Sequence, residues 1–158
     1  MKPINEVYPE EAQEEKKRGA FYGPSDYTPM LDSMGYETLL RVDDSDYQGD
    51  SRLILRDGSR YGVLIFGWGS CSGCDALQAC HSMKEIDDLR TSLRDSVKWF
   101  ESQAECLRYF ETHDWEGDYC WHADETRQFV LEGKQLLTEA PNDTDQQRRR
   151  KTYEQQNG

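Results

Sequence analysis

The stretch most able to do chemistry is Gly67-Trp68-Gly69-Ser70-Cys71-Ser72-Gly73-Cys74-Asp75, followed by Ala76-Leu77-Gln78-Ala79-Cys80-His81. Cys71 and Cys74 stand three apart, a spacing that serves zinc ligation, dithiol redox exchange or nucleophilic thiolate chemistry. A zinc reading takes Cys71 and Cys74 as one knuckle and completes the tetrahedron from Cys80 and His122, with His81 and Cys120 as further candidates. The segment follows an apolar strand pattern, and a short helix is expected to begin within it. A helix N-terminus there would favour anions and lower the pKa of Cys71 or Cys74. The glycines also suit an anion-binding turn, although no Gly-Lys-Ser or Gly-Lys-Thr ending makes it a P-loop. A purely structural role stands ahead of each of these, with small residues turning the chain tightly and reduced cysteines filling space as apolar side chains.

Two other segments share this character. Asp46-Tyr47-Gln48-Gly49-Asp50-Ser51 and Trp115-Glu116-Gly117-Asp118-Tyr119-Cys120-Trp121-His122 each set aromatics around a Gly-Asp turn. Rings among carboxylates suit a protein interface, where the ring supplies anchor area and the acids meet a basic partner. The binding candidates are therefore Tyr47, Gln48, Asp50, Trp68, Ser70, Ser72, Asp75, Trp115, Asp118 and Trp121. In the alternative, Trp115 and Trp121 cap the core edge while the aspartates cap turns. His81, His113 and His122 fall in no motif with a nucleophile and an orienting acid, so a catalytic constellation is not read here. Acidic pairs such as Asp43-Asp44 and Asp87-Asp88 arise by chance in a chain with 31 acids.

The elements that must position these groups are legible in part. Strand patterns cover Thr38 to Val42, Arg52 to Arg56 and Tyr61 to Phe66, joined by turn formers that include a strong Asp57-Gly58 hairpin signal. The last strand is the most apolar, so it is expected to be central and covered on both faces. Ser82 with Glu85 forms a capping box, after which Ile86, Leu89, Leu93, Val97 and Phe100 recur at helical spacing. Ser102 with Glu105 opens a second helix, and Asp124 is placed to cap a third that runs to about Thr138 despite Gly133. Strands first and helices afterward predict an α+β fold: an antiparallel meander of three or more strands followed by about three helices stacked on one face.

Composition sets the limits. Leu, Ile, Val and Phe make up 17% of the 158 residues, but 21% of residues 21–140, which also hold all four Trp and seven of the nine Tyr. Residues 21–140 are thus expected to form a single domain, with residues 1–20 a flexible arm or frayed helix and residues 141–158 a disordered polar tail. The two ends carry −1 and +1, so the middle carries the whole net charge of −12. Such a surface repels the phosphate backbone, which argues against direct nucleic-acid binding by the folded part. The exception is in the tail, where Arg148, Arg149, Arg150 and Lys151 form a four-residue basic run. No apolar run approaches the roughly 20 residues of a membrane span, and the five cysteines are an odd number. A cytoplasmic protein with reduced thiols is expected.

Trp68-x-x-Cys71-x-x-Cys74 resembles the general active-site pattern of thioredoxin-like proteins, but a hairpin meander is not their βαβ setting. With Asp46 to Ser51 before it and His113 to Tyr119 after it, the segment from Gly67 to Leu77 resembles a group of small uncharacterised bacterial and phage proteins. That resemblance implies no transferable activity. It does imply a phage-type modulator or inhibitor of a host defence or nucleic-acid enzyme, acting in the host cytoplasm. With the acidic charge, it leads to the first expectation: a non-catalytic acidic module that binds a host protein with a basic surface, and neither nucleic acid nor membrane. The alternative is a zinc- or thiol-dependent protein centred on Cys71 and Cys74.

Overall fold

The computed structural model describes residues 1–118 and 122–139. Expectations for Tyr119, Cys120, Trp121 and the basic tail lie outside the described residues. The fold is α+β, built on a four-stranded antiparallel sheet in the order β1-β2-β3-β4, formed by Glu37–Asp43, Gly49–Asp57, Arg60–Trp68 and Lys98–Phe100. Three of the strands enclose the three sequence-predicted ones. Asp57 pairs with Arg60 across a two-residue turn in which Gly58 adopts φ +62°, the left-handed conformation that glycine enters without a Cβ penalty.

The helices divide between the two faces of the sheet, where stacking on one face was expected. β2 and β3 are apolar on both sides, so each side needs a cover. Leu53, Leu55, Leu64 and Phe66 point to one face, packed by α1 (Ile4–Val7), α2 (Pro9–Arg18), α3 (Thr28–Asp32) and α4 (Met83–Asp95). Ile54, Val63 and Tyr61 point to the other, covered by α5 (Gln103–Thr112), α6 (Trp115–Asp118) and α7 (Ala123–Thr138). The central position and double covering expected for the third strand are both present.

Residues 1–20 do not form the expected frayed arm. Val7, Tyr8 and Ala12 are buried against the first face, Glu15 accepts the Met83 amide at 2.7 Å, and the Arg90 guanidinium donates to the Lys2 carbonyl at 2.6 Å. The serine half of both capping boxes forms as read: Ser82 Oγ accepts from Glu85 N at 3.1 Å and Ser102 Oγ from Glu105 N at 3.2 Å. The Glu85 and Glu105 carboxylates accept the amides one residue before the caps, those of His81 and Glu101. The helix that Ser82 opens, α4, nevertheless stops at Asp95, and Lys98–Phe100 becomes an edge strand. Gly62 explains the seat of that strand, because a Cβ there would lie 2.7 Å from Val97 Cγ1 and 2.9 Å from the Trp99 ring. The helix expected to be capped by Asp124, α7, is instead N-capped by His122, which makes no side-chain capping bond, while Asp124 lies within its first turn. No helix among the described residues is long and apolar enough to cross a membrane.

Gly133 lies where α7 meets α5 and the sheet, and a Cβ on it would come within 2.6 Å of Phe110 Cε1 and 3.1 Å of Ile54 Cδ1. In an exposed helix, Gly→Ala gains about 1 kcal/mol, but forcing a methyl into a packed contact costs about 1–3 kcal/mol. Gly133→Ala is therefore expected to lower the unfolding free energy in a urea titration. An unchanged or higher midpoint would show that α7 can move off Phe110 without loss.

Candidate functional site

The cysteine loop begins where β3 leaves the sheet. Trp68, paired with Gly49 across the strands, donates its indole N–H to Ser51 Oγ at 3.0 Å. The next residue must be small, since a Cβ on Gly69 would lie 2.6 Å from both the carbonyl oxygen and Sγ of Cys74. The loop closes on Asp75, which is 3% exposed. Asp75 Oδ2 accepts from Gly69 N at 2.9 Å, and Oδ1 accepts from Leu77 N at 2.8 Å, Gln78 N at 3.1 Å and the Tyr27 hydroxyl at 3.0 Å. Gln78 adds a side-chain bond from Nε2 to the Gly69 carbonyl at 3.1 Å. A carboxylate with this many inward donors organises the chain, so Asp75 is a positioning residue and not the surface binding group expected. Burial raises the Tyr27 phenol well above its ordinary range, which keeps the hydroxyl a donor to Asp75.

This frame presents both thiols to solvent. Cys71 and Cys74 are exposed at opposite ends of a tight turn, with Cys74 N donating to Cys71 O at 3.1 Å. Their sulfurs are 3.2 Å apart, a hydrogen-bonding distance that a disulfide of about 2.05 Å would shorten by a small movement of the turn. The Cys74 thiol is held below its ordinary value, first by its hydrogen bond with the Cys71 thiol and then by its contact with the Cys71 backbone, with desolvation opposing and Ser70 adding smaller contributions. As a neutral thiol, Cys74 Sγ donates to the Cys71 carbonyl at 3.4 Å. The expected helix after Cys74 is instead a turn, in which Ala79 N bonds Asp75 O and Cys80 N bonds Leu77 O. The source of thiolate stabilisation is therefore the partner thiol and not a helix N-terminus. The remaining described cysteines contrast sharply: burial pushes Cys80 up to about 11 and Cys106 up to about 12.

Zinc ligation by Cys71, Cys74, Cys80 and His122 is not what the fold arranges. Cys80 is buried and bonds the Ala76 carbonyl. Among the described residues, the group whose metal-type ligand atoms gather within 4.8 Å of one another is Asp44, His122 and Glu125. Three of the binding candidates do meet His122: Gln48, Asp50 and Trp68 line a cavity of about 370 Å³ with it and Gly49. Burial raises the Asp50 carboxyl, opposed chiefly by Arg52. Ser70 and Ser72 are exposed on the dithiol loop, and Tyr47 projects at 84% exposure. Trp115 is a core residue, 7% exposed, with its indole donating to the Phe110 carbonyl at 3.1 Å, which replaces the expected binding role with the core-edge one. The side chain of Asp118 and all of Trp121 lie outside the described residues.

The residue that sequence reading passed over is Asp44. Its side chain is fully buried and takes Arg52 Nη1 at 2.7 Å on Oδ1 and the Asp50 amide at 2.7 Å on Oδ2. An Asp43-Asp44 pair does not say which acid turns inward, and nothing in the spacing ties either of them to Arg52 in β2.

The thiols should separate in a timed alkylation of the native protein followed by mass mapping. Cys74 is expected to react first, with a rate that rises with pH to a midpoint below the ordinary thiol value of 9.0, whereas buried Cys80 and Cys106 react only after unfolding. Equal rates at Cys74 and Cys80 would contradict the arrangement. Comparison with protein families, with curated proteins and with solved structures finds no match for the chain, so the geometry of this loop carries the functional reading.

Proposed function

We propose that the protein is a dithiol protein whose working group is the Cys71–Cys74 pair, exchanging electrons with disulfide-bearing partners. The observation that carries the reading is the 3.2 Å contact between two exposed sulfurs on a loop fixed from beneath by Asp75. The Cys74 thiolate attacks one sulfur of the partner disulfide, forming a mixed disulfide and releasing the other partner sulfur as a thiolate that takes up a proton. Cys71, losing its proton, then attacks Cys74 Sγ and releases the second partner thiol. The chain ends as a Cys71–Cys74 disulfide, and two electrons have passed to the partner. Trp68 and the exposed Ser70 and Ser72 border the place where a partner would sit.

The test is equilibration of the purified chain in glutathione buffers poised between about −180 and −300 mV, read by alkylation and mass. A single two-electron transition localised to Cys71 and Cys74 is expected, and Cys71→Ser is expected to accumulate a mixed disulfide at Cys74. A pair that stays reduced throughout, or that only forms unresolved adducts on both cysteines, would refute the proposal.

A second reading is the acidic protein-binding module, favoured by the ring of Tyr47, which is 84% exposed beside the carboxylate of Asp46. Exposed aromatic area among acids suits a partner with a basic surface. In a pull-down from bacterial lysate, this reading expects a stoichiometric basic partner that is lost with Tyr47→Ala and weakened between about 50 and 500 mM salt. Capture indifferent to both changes would sink it.

A further inference from the structure

At the same end of the sheet lies a second cluster of groups, which shares no residue with the thiols. We propose that Asp44, His122 and Glu125 form a divalent transition-metal site of the zinc class, open to solvent through the cavity walled by Gln48, Asp50 and Trp68. His122 Nε2 lies 3.8 Å from Asp44 Oδ2, and one ligand atom from each of the three side chains falls within 4.8 Å of the others. A metal held at about 2.0–2.2 Å from nitrogen and oxygen ligands sets neighbouring donors about 3.4 Å apart, so small side-chain movements close the set. The imidazole raises the group above a chance gathering of acids. One nitrogen with two carboxylate oxygens is the donor mix that borderline cations take and that calcium and magnesium do not prefer.

The surroundings fit a cation. Arg52 holds Asp44 Oδ1 and the Asp50 amide holds one side of Oδ2, so the Asp44 side chain is fixed before any metal arrives. Asp44 packs closely against Gly49, where a Cβ would lie 2.6 Å from Oδ2. Ser45 Oγ donates to Glu125 Oε1 at 3.2 Å, steadying the third ligand from the same turn. Arg52 offsets one negative charge, yet the carboxylates of Asp44, Glu125 and Asp50 outnumber it. Three protein ligands leave at least one coordination position, and His122 lines the cavity through which water or a small ligand would reach it.

This site shares no ligand with the dithiol, so the two proposals fail separately. The test uses the full chain carrying Cys71→Ser and Cys74→Ser, titrated with zinc chloride alone in a calorimeter. One equivalent of zinc is expected to bind, and adding His122→Gln or Glu125→Gln is expected to weaken it about 100-fold while the far-ultraviolet circular dichroism stays unchanged. Cobalt substitution in the same background is expected to give visible d–d bands without thiolate charge transfer. The proposal is overturned if zinc binding disappears with the two thiols, or if His122→Gln and Glu125→Gln leave it unaltered.

Discussion

One buried carboxylate holds the loop, the sheet end and the N-terminal segment in register. Asp75 collects two amides from the residues just after it, one from Gly69 across the loop and a phenol from Tyr27, nearly fifty residues earlier. Buried away from water, an ionised carboxylate is tolerable only when its lone pairs are filled in this way. Tyr27 in turn packs against Phe66 with ring centroids 4.9 Å apart and the planes tilted by 47°, so the same tie that shapes the cysteine turn anchors the residues around α3 to β3. The thiols can therefore be exposed without being loose. Hydrogen bonds to a charged group contribute about 1.5–3 kcal/mol each, and those of Asp75 act on a stretch with no regular helix or strand of its own.

A second buried charge shapes the other side of the same sheet end. Leu53 and Leu55 serve one face of β2, while Arg52 shares the opposite face with Ile54. A guanidinium at 0% exposure needs an anion, and the chain supplies one by folding the turn after β1 back until Asp44 reaches it. That fold-back requires a glycine at position 49, which is the residue paired with Trp68. The start of β2 and the end of β3 thereby bring the Asp44 cluster and the root of the dithiol loop to one end of the sheet. Proximity of the two sites follows from strand register and from one compensated arginine.

What could be read from sequence was what local physics controls. Alternation, Asp57-Gly58 and the two Ser-x-x-Glu boxes act within a few residues, and each produced its element. Val97 and Phe100 fit a helical stripe and an edge strand equally well; the vacancy above Gly62 decided between them, and that is a tertiary fact. The N-terminal segment looked solvated because its charges dominate, yet three small patches of apolar surface at Val7, Tyr8 and Ala12 suffice to dock it. Asp75 and Trp115 were chemically conspicuous and turned out to be inward-facing. Conspicuous residue types mark both sites and supports, and only burial separates the two. Asp44 and Glu125 could not be found at all, because the long-range pairing that joins them to His122 leaves no trace in spacing.

The acidic balance and the dithiol fit within one reading. A net charge of −12 works against any thiolate at long range, but at about 0.15 M salt the Debye length is about 8 Å, so carboxylates farther away than that contribute little at Cys74, while those nearest the loop still act on an approaching partner. What survives is local, and there the Cys71 hydrogen bond favours the thiolate while the adjacent Asp75 charge is already occupied by four donors. Under the proposed chemistry the turn sets the Cys74 pKa and the acidic surface bears on which partner approaches. A small anionic disulfide such as oxidised glutathione approaches such a protein against repulsion, whereas a basic protein disulfide is steered toward it. Under the proposed chemistry, the carboxylates select which disulfide arrives and the turn supplies the reactive sulfur.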